Sequence, residues 1–502
     1  MHRALFLPEI IKIILETESS SPGFLHTCLL ISKTFSLEAT RMLWYACGAY
    51  YPPEVYSHVT PDIKHLAQIA IEDVRRAQYY ANFIHVLSFY QEETREDSEE
   101  EDYDIDFEPE EIKWHKELVS LQFPQLEDFT LFKDGHQGGM KTEDIITHFA
   151  QPNIKEFRVH EGDGLSDSLF HKLAHSCPRL KVLELSNMDE SNVSEDTLVQ
   201  FLTKADTLTW LAIRTALHGG WYDKAFLATA RLPNLSHIAI PDIQDTWLDS
   251  IRQMNSSTPI FPSLKELETG ISDHNLECLV RYLPNLELLD IDLEDLPPSH
   301  NILASASNFI NLTSLTVKFS RKSSISSNDL LLLVQNCPSL DRLALGQPRS
   351  TNFPRSELDI TDSTIDEVAQ ILGTRILSLV IVLDRPTLLT WRSVCSLARY
   401  CKNLVGLTIS CNFNWQNSLS STPRHIFPAL EQLEFVFDMV IRHMQPLRDL
   451  DLDTVEVGAE RIFSLAPKLS NFWIEDGNIN DNDLRKAVMD IVDLRNPDTD
   501  ED

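Results

Sequence analysis

The side chains of this 502-residue sequence best suited to binding or reaction fall at intervals that match a repeated strand: Asp128, Arg158, Glu184, Trp210, Arg214, His237, Glu266, Asp290, Lys318, Arg342 and Trp473. Arg and Trp are the types most often found as anchors of protein interfaces, so Arg158, Trp210, Arg214, Arg342 and Trp473 are the candidate contacts for a bound protein substrate. Taken one at a time, each also reads as a solvated position or one packed beneath a loop. Arg158, Arg214 and Arg342 suit a phosphate by charge, although positions on different strands need not converge. Asp290 and Asp292 lie two apart on one sheet face, a geometry that holds a cation or raises one carboxyl pKa, with plain solvation as the simpler account. His160, His171 and His175 cluster without metal-ligand spacing. The sequence contains no Gly-rich phosphate loop, GxSxG nucleophile turn or HExxH helix. No catalytic residue, metal ligand or cofactor is therefore assigned, and the chain is not expected to be an enzyme.

The row must be positioned by a unit that recurs down the chain. In residues 177–186, CPRLKVLELS, the pattern is Leu180, Leu183 and Leu185. It returns from Ile84/Leu87/Phe89 and Leu126/Phe129/Leu131 through Leu312/Leu315/Val317 to Leu430/Leu433/Phe435 and Leu469/Phe472/Ile474. Leu264/Leu267/Thr269 is a degenerate copy, and Leu447/Leu450/Leu452 reads as a poorly formed one. First positions at 126, 154, 180, 208, 235 and 264 step by 26 to 29 residues, the period of a leucine-rich repeat. Side chains alternate along a strand, so the leucines face a core and the residues between them face the concave surface. Apolar residues at helical spacing follow each strand, as at Leu169, Leu173 and Ala174. The expected fold is an α/β leucine-rich-repeat solenoid over residues 83–480, a horseshoe with a parallel inner sheet and outer helices. Asp196, Asp273 and Asp329 are expected to cap helix N-termini.

Composition restricts the partners. With 43 Lys+Arg against 76 Asp+Glu the formal net charge is -33, which repels nucleic acid and anionic membrane surfaces. Much of the excess lies in residues 92–111, where 13 acids face only Arg95. That run self-repels and is expected to be a disordered insertion in the array, with binding of basic partners as the alternative. Residues 481–502 are expected to form a C-terminal cap and a frayed acidic tail. A hydrophobic fraction of 43%, a mean hydropathy of -0.18 and no apolar run of spanning length predict no membrane segment. The N-terminal apolar patch is interrupted by Pro8, Glu9 and Lys12 and makes a poor signal peptide, so the chain is expected in the cytoplasm, the nucleus or both. The eight cysteines, with no CxxC pair, then read as reduced and mostly buried, Cys177, Cys337 and Cys401 standing at the same place in their repeats. In that setting the sequons at Asn192, Asn234, Asn255 and Asn311 carry no weight.

Residues 1–48 do not follow the repeat. Pro8 and Glu9 open a helix, residues 19–23 break it, and further helical runs are expected over 24–35 and 37–44, with a helical linker or cap over 49–82. The order Leu7-Pro8-Glu9-Ile10, then Leu29-Leu30-Ile31-Ser32-Lys33-Thr34-Phe35, then Ala39 and Leu43-Trp44 resembles the F-box motif. Followed by leucine-rich repeats, it resembles the F-box/leucine-rich-repeat substrate receptors of SCF (cullin-RING) ubiquitin ligases. That resemblance implies a Skp-type adaptor, and through it a cullin, as partner. Leu7, Pro8, Ile11, Leu29, Ile31 and Trp44 match the apolar positions of the motif, some of which contact the adaptor while others hold the small core. Thr34-Phe35 stand where a basic residue and tryptophan are commoner. The alternative is a non-enzymatic scaffold whose helices merely cap the first repeat.

Overall fold

The computed structural model describes residues 7–17, 22–48, 61–89, 117–132, 142–162, 165–188, 192–214, 223–253, 260–293, 301–319, 325–346, 359–382, 389–410, 426–436, 452–475 and 488–489. The acidic run at 92–111, the tail from 490, Leu447, Leu450, Asn255 and Cys411 lie outside the described residues.

The N-terminal residues form α1 (Pro8–Thr17), α2 (Pro22–Cys28) and α3 (Lys33–Leu43) around a core of Ile11, Leu15, Leu25, Cys28, Phe35, Ala39 and Leu43. The helix expected over 24–35 stops instead at Cys28. Ser32 is extended and its Oγ accepts the Phe35 N–H at 3.3 Å, which starts α3 there and leaves residues 29–31 in a turn. A strand that the apolar pattern did not reveal, β1 (Ala46–Cys47), follows at once. Gly48 ends it at φ +89, where an added Cβ would sit 1.8 Å from the Ser88 carbonyl oxygen, so only glycine fits. Two helices, Ile63–Glu72 and Val74–Ala81, share Asp73, which ends the first and caps the second by accepting the Arg75 and Arg76 N–H groups at 3.0 and 3.2 Å.

The chain divides into two compact units, Met1–Pro241 with Phe261–Ser263, and Asp242–Ile260 with Leu264–Asp502. The first carries β1 and β2 (Val86–Phe89), β3 (Asp128–Phe132), β4 (Glu156–Gly162), β5 (Val182–Met188), β6 (Trp210–Ile213) and the start of β7 (His237–Ile243). The second carries β8 (Glu266–Ile271), β9 (Leu288–Asp292), β10 (Ser314–Lys318), β11 (Arg342–Gly346), β12 (Ser378–Val382), β13 (Gly406–Ser410), β14 (Gln432–Val436) and β15 (Asn471–Glu475). Within each unit, strands consecutive in sequence pair in parallel and in phase with the repeat, as in Leu87↔Phe129↔Phe157↔Leu183↔Leu211 and in Leu289↔Leu315↔Leu343↔Leu379. Each unit is thus a leucine-rich-repeat solenoid. The pattern leucines are buried, and the degenerate copy is a full strand in which Thr269 fills a core position. Leu452 opens the helix Leu452–Leu465, so the third position of the poorly formed copy is helical and not a strand.

Expected caps and observed caps differ. Ser194, Ser272 and Ser326 are the N-caps, each side chain accepting a first-turn N–H, while Asp196, Asp273 and Asp329 lie within the first turn. A serine at the extended N-cap position reaches N3 directly, whereas an acid already inside the helix contributes through the dipole. Some first-turn acids do other work, tying one repeat to the next: Asp167 accepts the Ser194 N–H at 2.7 Å, Glu195 the Lys224 N–H at 3.0 Å, Asp273 the Asn301 N–H at 2.9 Å and Asp362 the Thr390 N–H at 2.8 Å. A second ladder runs just before the strands, where Asn153, Asn234, Asn311 and Asn403 donate from Nδ2 to Pro124, Asp206, Pro284 and Thr374 carbonyls. The sequon amides of Asn234 and Asn311 are consumed in it.

Burial works against the charged form of Asp167, but hydrogen bonds from the Ser194 backbone and hydroxyl, with Thr197 and His171 nearby, outweigh it and hold the carboxyl below its ordinary value of 3.8. A depressed folded-state pKa adds stability above the unfolded value, lost as pH falls through the folded one. By NMR titration Asp167 is expected to titrate below 3.8, and Ser194→Ala to move it back up. An ordinary titration in the wild type would contradict the ladder.

Cys177, Cys337 and Cys401 are equivalent as the sequence implies: each closes its helix through its backbone N–H and is buried. Burial pushes their thiols up to about 12, 11 and 12, so none is a ready thiolate.

Candidate functional site

Two surfaces collect the residues singled out by sequence. On the non-core face of β3 to β6, register places Thr130, Arg158, Glu184 and Ala212 side by side. Arg158 pairs with Asp128 at 3.4 Å, Glu156 at 2.5 Å and Glu184 at 3.8 Å, and Arg214 pairs with the other oxygen of Glu184 at 2.5 Å. Three carboxylates thus hold two guanidiniums in a half-buried chain, where geometry and mutual pairing offset desolvation. A phosphate would have to displace carboxylates from Arg158 or Arg214, so the arginines do not form an open anion site.

Aromatic stacks flank that chain. Phe132 lies on His160 at 4.2 Å, with His160 Nδ1 2.8 Å from Ser186 Oγ, and Trp210 lies flat on His237 at 3.4 Å. Trp210 Nε1 is sealed from solvent without a hydrogen-bond partner among the described residues. In the second unit, Arg342 is 69% exposed beside Asp341 at 3.9 Å, Lys318 lies 3.8 Å from Asp292, and β15 carries Trp473, whose side chain lies outside the described residues. His171 and His175 sit on the helix Asp167–Ser176, where His175 Nδ1 contacts the His171 carbonyl. Among the described residues no group of three or more His, Cys, Asp or Glu is placed to hold a metal ion.

The second surface is the N-terminal module. Leu7 and Ile31 are exposed, at 51% and 50%. Pro8 opens α1, its side chain outside the described residues. Leu29 is half-buried against the module core, and Ile11 is fully buried within it, unable to meet a partner in this conformation. Trp44 also packs on that core and stacks on Tyr80 at 4.5 Å, which makes it part of the junction with the first repeat. Two exposed side chains were missed in the motif: Ile13 at 59% and Leu30 at 88%. Neither stands out by type; only the end of α2 at Cys28 turns Leu30 outward.

The junction is polar as well as aromatic. Tyr45 stacks on His85 at 4.8 Å, its carbonyl accepts the His85 and Val86 N–H groups, and the Arg41 guanidinium lies 5.9 Å from the Phe83 ring centre. Burial lowers the His85 imidazole pKa, with the Glu127 carboxylate opposing, so the ring is neutral at pH 7.

No protein-family model and no curated protein matches the chain. Solved structures with a similar course include a chain of the yeast Rad7–Elc1 complex, 11% identical over 94% of this chain and 95% of that one at a TM-score of 0.38. Another is LegL7, a leucine-rich-repeat-containing protein from Legionella pneumophila, 11% identical over 72% of this chain and 98% of that one at a TM-score of 0.32. At this level neither likeness bears on function. Among the described residues no helix is long and apolar enough to cross a membrane.

Proposed function

We propose that the chain is a protein-interaction subunit of the SCF (cullin-RING) ubiquitin ligase type, its N-terminal helices holding a Skp-type adaptor and its repeats holding a protein substrate. The chain itself makes and breaks no bond; it acts by holding two proteins close. The observation that carries the adaptor half is the set Leu7, Ile13, Leu30 and Ile31, large apolar side chains left in solvent on a module whose own core is complete. An 88% exposed leucine adds nothing to the fold, and covering such residues is what a partner would gain from. The junction at Trp44/Tyr80 and Tyr45/His85 fixes the module to the first repeats, so an adaptor on one and a substrate on the other would keep a constant geometry. The substrate half is supported by the Arg158–Glu184–Arg214 chain with its flanking aromatic stacks, a composition typical of protein-binding faces.

The test is co-precipitation of a Skp-type adaptor with the wild type, Leu7→Ala/Pro8→Ala and Leu30→Asp/Ile31→Asp. Both residues of the last pair are exposed, so an unchanged melting curve is expected beside a loss of adaptor recovery of about tenfold or more. No adaptor on the wild type sinks the ligase reading. The second reading, a scaffold with a helical cap, is favoured by the same aromatic junction; it predicts that removing residues 1–48 destabilises the first repeats while partners of the remaining solenoid stay bound.

A further inference from the structure

A third apolar surface lies outside both sites. On the helix Val74–Ala81 and the residue after it, Val74, Arg75, Gln78, Tyr79 and Asn82 line a groove of about 500 Å³. Val74 and Tyr79 are large apolar side chains left exposed. The Tyr79 ring stands edge-on against Tyr80 at 5.6 Å and Phe83 at 5.1 Å, so that wall is set before any ligand arrives. Gln78 is fixed as well: Nε2 donates to Asn82 Oδ1 at 2.9 Å and to the Gln122 carbonyl at 2.7 Å, and Oε1 accepts the Gln122 N–H at 2.9 Å.

The lining holds a single charge, and it is positive although the chain carries a net charge of -33. Arg75 is exposed, and its guanidinium makes no ion pair or hydrogen bond among the described residues. The charges beside it are engaged elsewhere. Arg76 Nε donates to the Tyr80 hydroxyl at 3.3 Å, Asp73 accepts the Arg75 and Arg76 N–H groups, and Glu72 accepts Gln68 Nε2 at 2.8 Å. Asn82 spends Oδ1 on Gln78, which leaves Nδ2 as a donor at the far end of the stripe, about 10 Å of helix from Arg75.

We propose that this groove is a docking site for the C-terminal end of a partner protein, one whose last residue is large and apolar. The terminal carboxylate pairs with Arg75, the last side chain lies on Val74 and Tyr79, and Asn82 Nδ2 donates to a backbone carbonyl about three residues back, roughly 10 Å along an extended chain. Charge decides for a chain end over an acidic run, which the excess of carboxylates on this protein would repel; one carboxylate at contact distance meets little of that screened field. Geometry agrees. Arg75 and Tyr79 stand one helical turn apart on the same face, about 5–6 Å between Cβ atoms, and a terminal residue carries its charge and its side chain on one Cα. The inference is independent of the adaptor reading, since it uses none of the residues of that site.

The experiment titrates the full-length protein with N-terminally labelled peptides Gly-Ser-Gly-Ala-Leu-X, where X is Leu, Phe, Tyr or Trp, each with a free C-terminus and as the C-terminal amide. At least one free acid is expected to saturate with a Kd below about 1 mM, and its amide to bind roughly fivefold more weakly. In Arg75→Gln the acid is expected to weaken by the same factor and the amide to stay unchanged, so that the two losses do not add. Val74→Glu puts an acid in the first helical turn, where the dipole favours it, and is expected to weaken the acid at least about tenfold at an unchanged melting temperature. No saturable binding by any of the four acids overturns the proposal. So does equal affinity for acid and amide, or an Arg75→Gln loss shared by both, which would make Arg75 a structural residue. Concentration-dependent self-association that Val74→Glu abolishes would place a second copy in the groove and overturn docking of a partner.

Discussion

Phe129→Ala is expected to cost the first unit about 3–5 kcal/mol. Phe129 is fully buried on β3, stacks on Phe149 at 4.8 Å, and meets Phe157 of the next strand at 5.1 Å and Phe89 of the preceding one at 6.0 Å. Truncation removes the transfer energy of the ring and leaves a cavity whose walls are themselves ring faces, held by Phe123 packed on Phe149 at 5.6 Å. Rigid walls collapse poorly, which places the cost toward the upper end of the range. Phe129→Leu keeps most of the volume and is expected to cost less than about 1.5 kcal/mol. Urea unfolding followed by circular dichroism measures both. A repeat array couples mainly nearest neighbours, so amide exchange is expected to rise most in β2 to β4. A loss under about 1 kcal/mol for the alanine variant would contradict a continuous aromatic core at that point.

Asp362→Ala is expected to destabilise the second unit by about 2–4 kcal/mol. One carboxylate accepts three bonds from the next repeat: the Thr390 N–H at 2.8 Å, the Thr390 hydroxyl at 2.6 Å and the fully buried Ser393 hydroxyl at 2.6 Å. Thr390 is the N-cap of the helix Trp391–Tyr400, so the loss strands a cap as well as a buried hydroxyl. Removing one partner leaves the others desolvated, which is why the effect exceeds that of an ordinary hydrogen bond. Asp362→Asn keeps one acceptor oxygen and is expected to lose about half as much. The check is urea unfolding together with amide exchange over residues 391–400; a shift of about 0.5 kcal/mol or less would show that the inter-repeat tie is dispensable.

Much of the fold was legible because it is locally encoded. The triplet at Leu180, Leu183 and Leu185 sets which side of a strand is apolar, and its return every 26 to 29 residues forces the neighbours into register. The same logic puts Arg158, Glu184 and Trp210 on the opposite side. Helix starts were read less well. By type Asp196, Asp273 and Asp329 suit a cap, yet the serines before them do the capping, and Ser32 caps α3 after a turn over residues 29–31 that leaves Leu30 exposed. The Asn ladder does have a sequence signal, an asparagine just before the first apolar position in residues 152–154, 233–235, 310–312 and 402–404, with no apolar period to reveal it. Within the F-box-like motif, type alone does not separate the core side chain Ile11 from the exposed Leu7, because both match the same pattern.

The sequence by itself therefore determined the repeat, the parallel order of the strands, the outward row and a helical module at the N-terminus. Only the tertiary structure decided what the outward row can do. Glu184 serves both Arg158 and Arg214 from 26 and 30 residues away, converting two apparent anion sites into one chain of ion pairs. Tyr80 likewise turns Trp44 from a candidate contact into part of the joint with the first repeat, beside the stack of Tyr45 on His85. The physical reason is range: alternation and helical period act within a few residues of chain, whereas pairing and stacking depend on which side chains the register brings within about 4–5 Å across repeats.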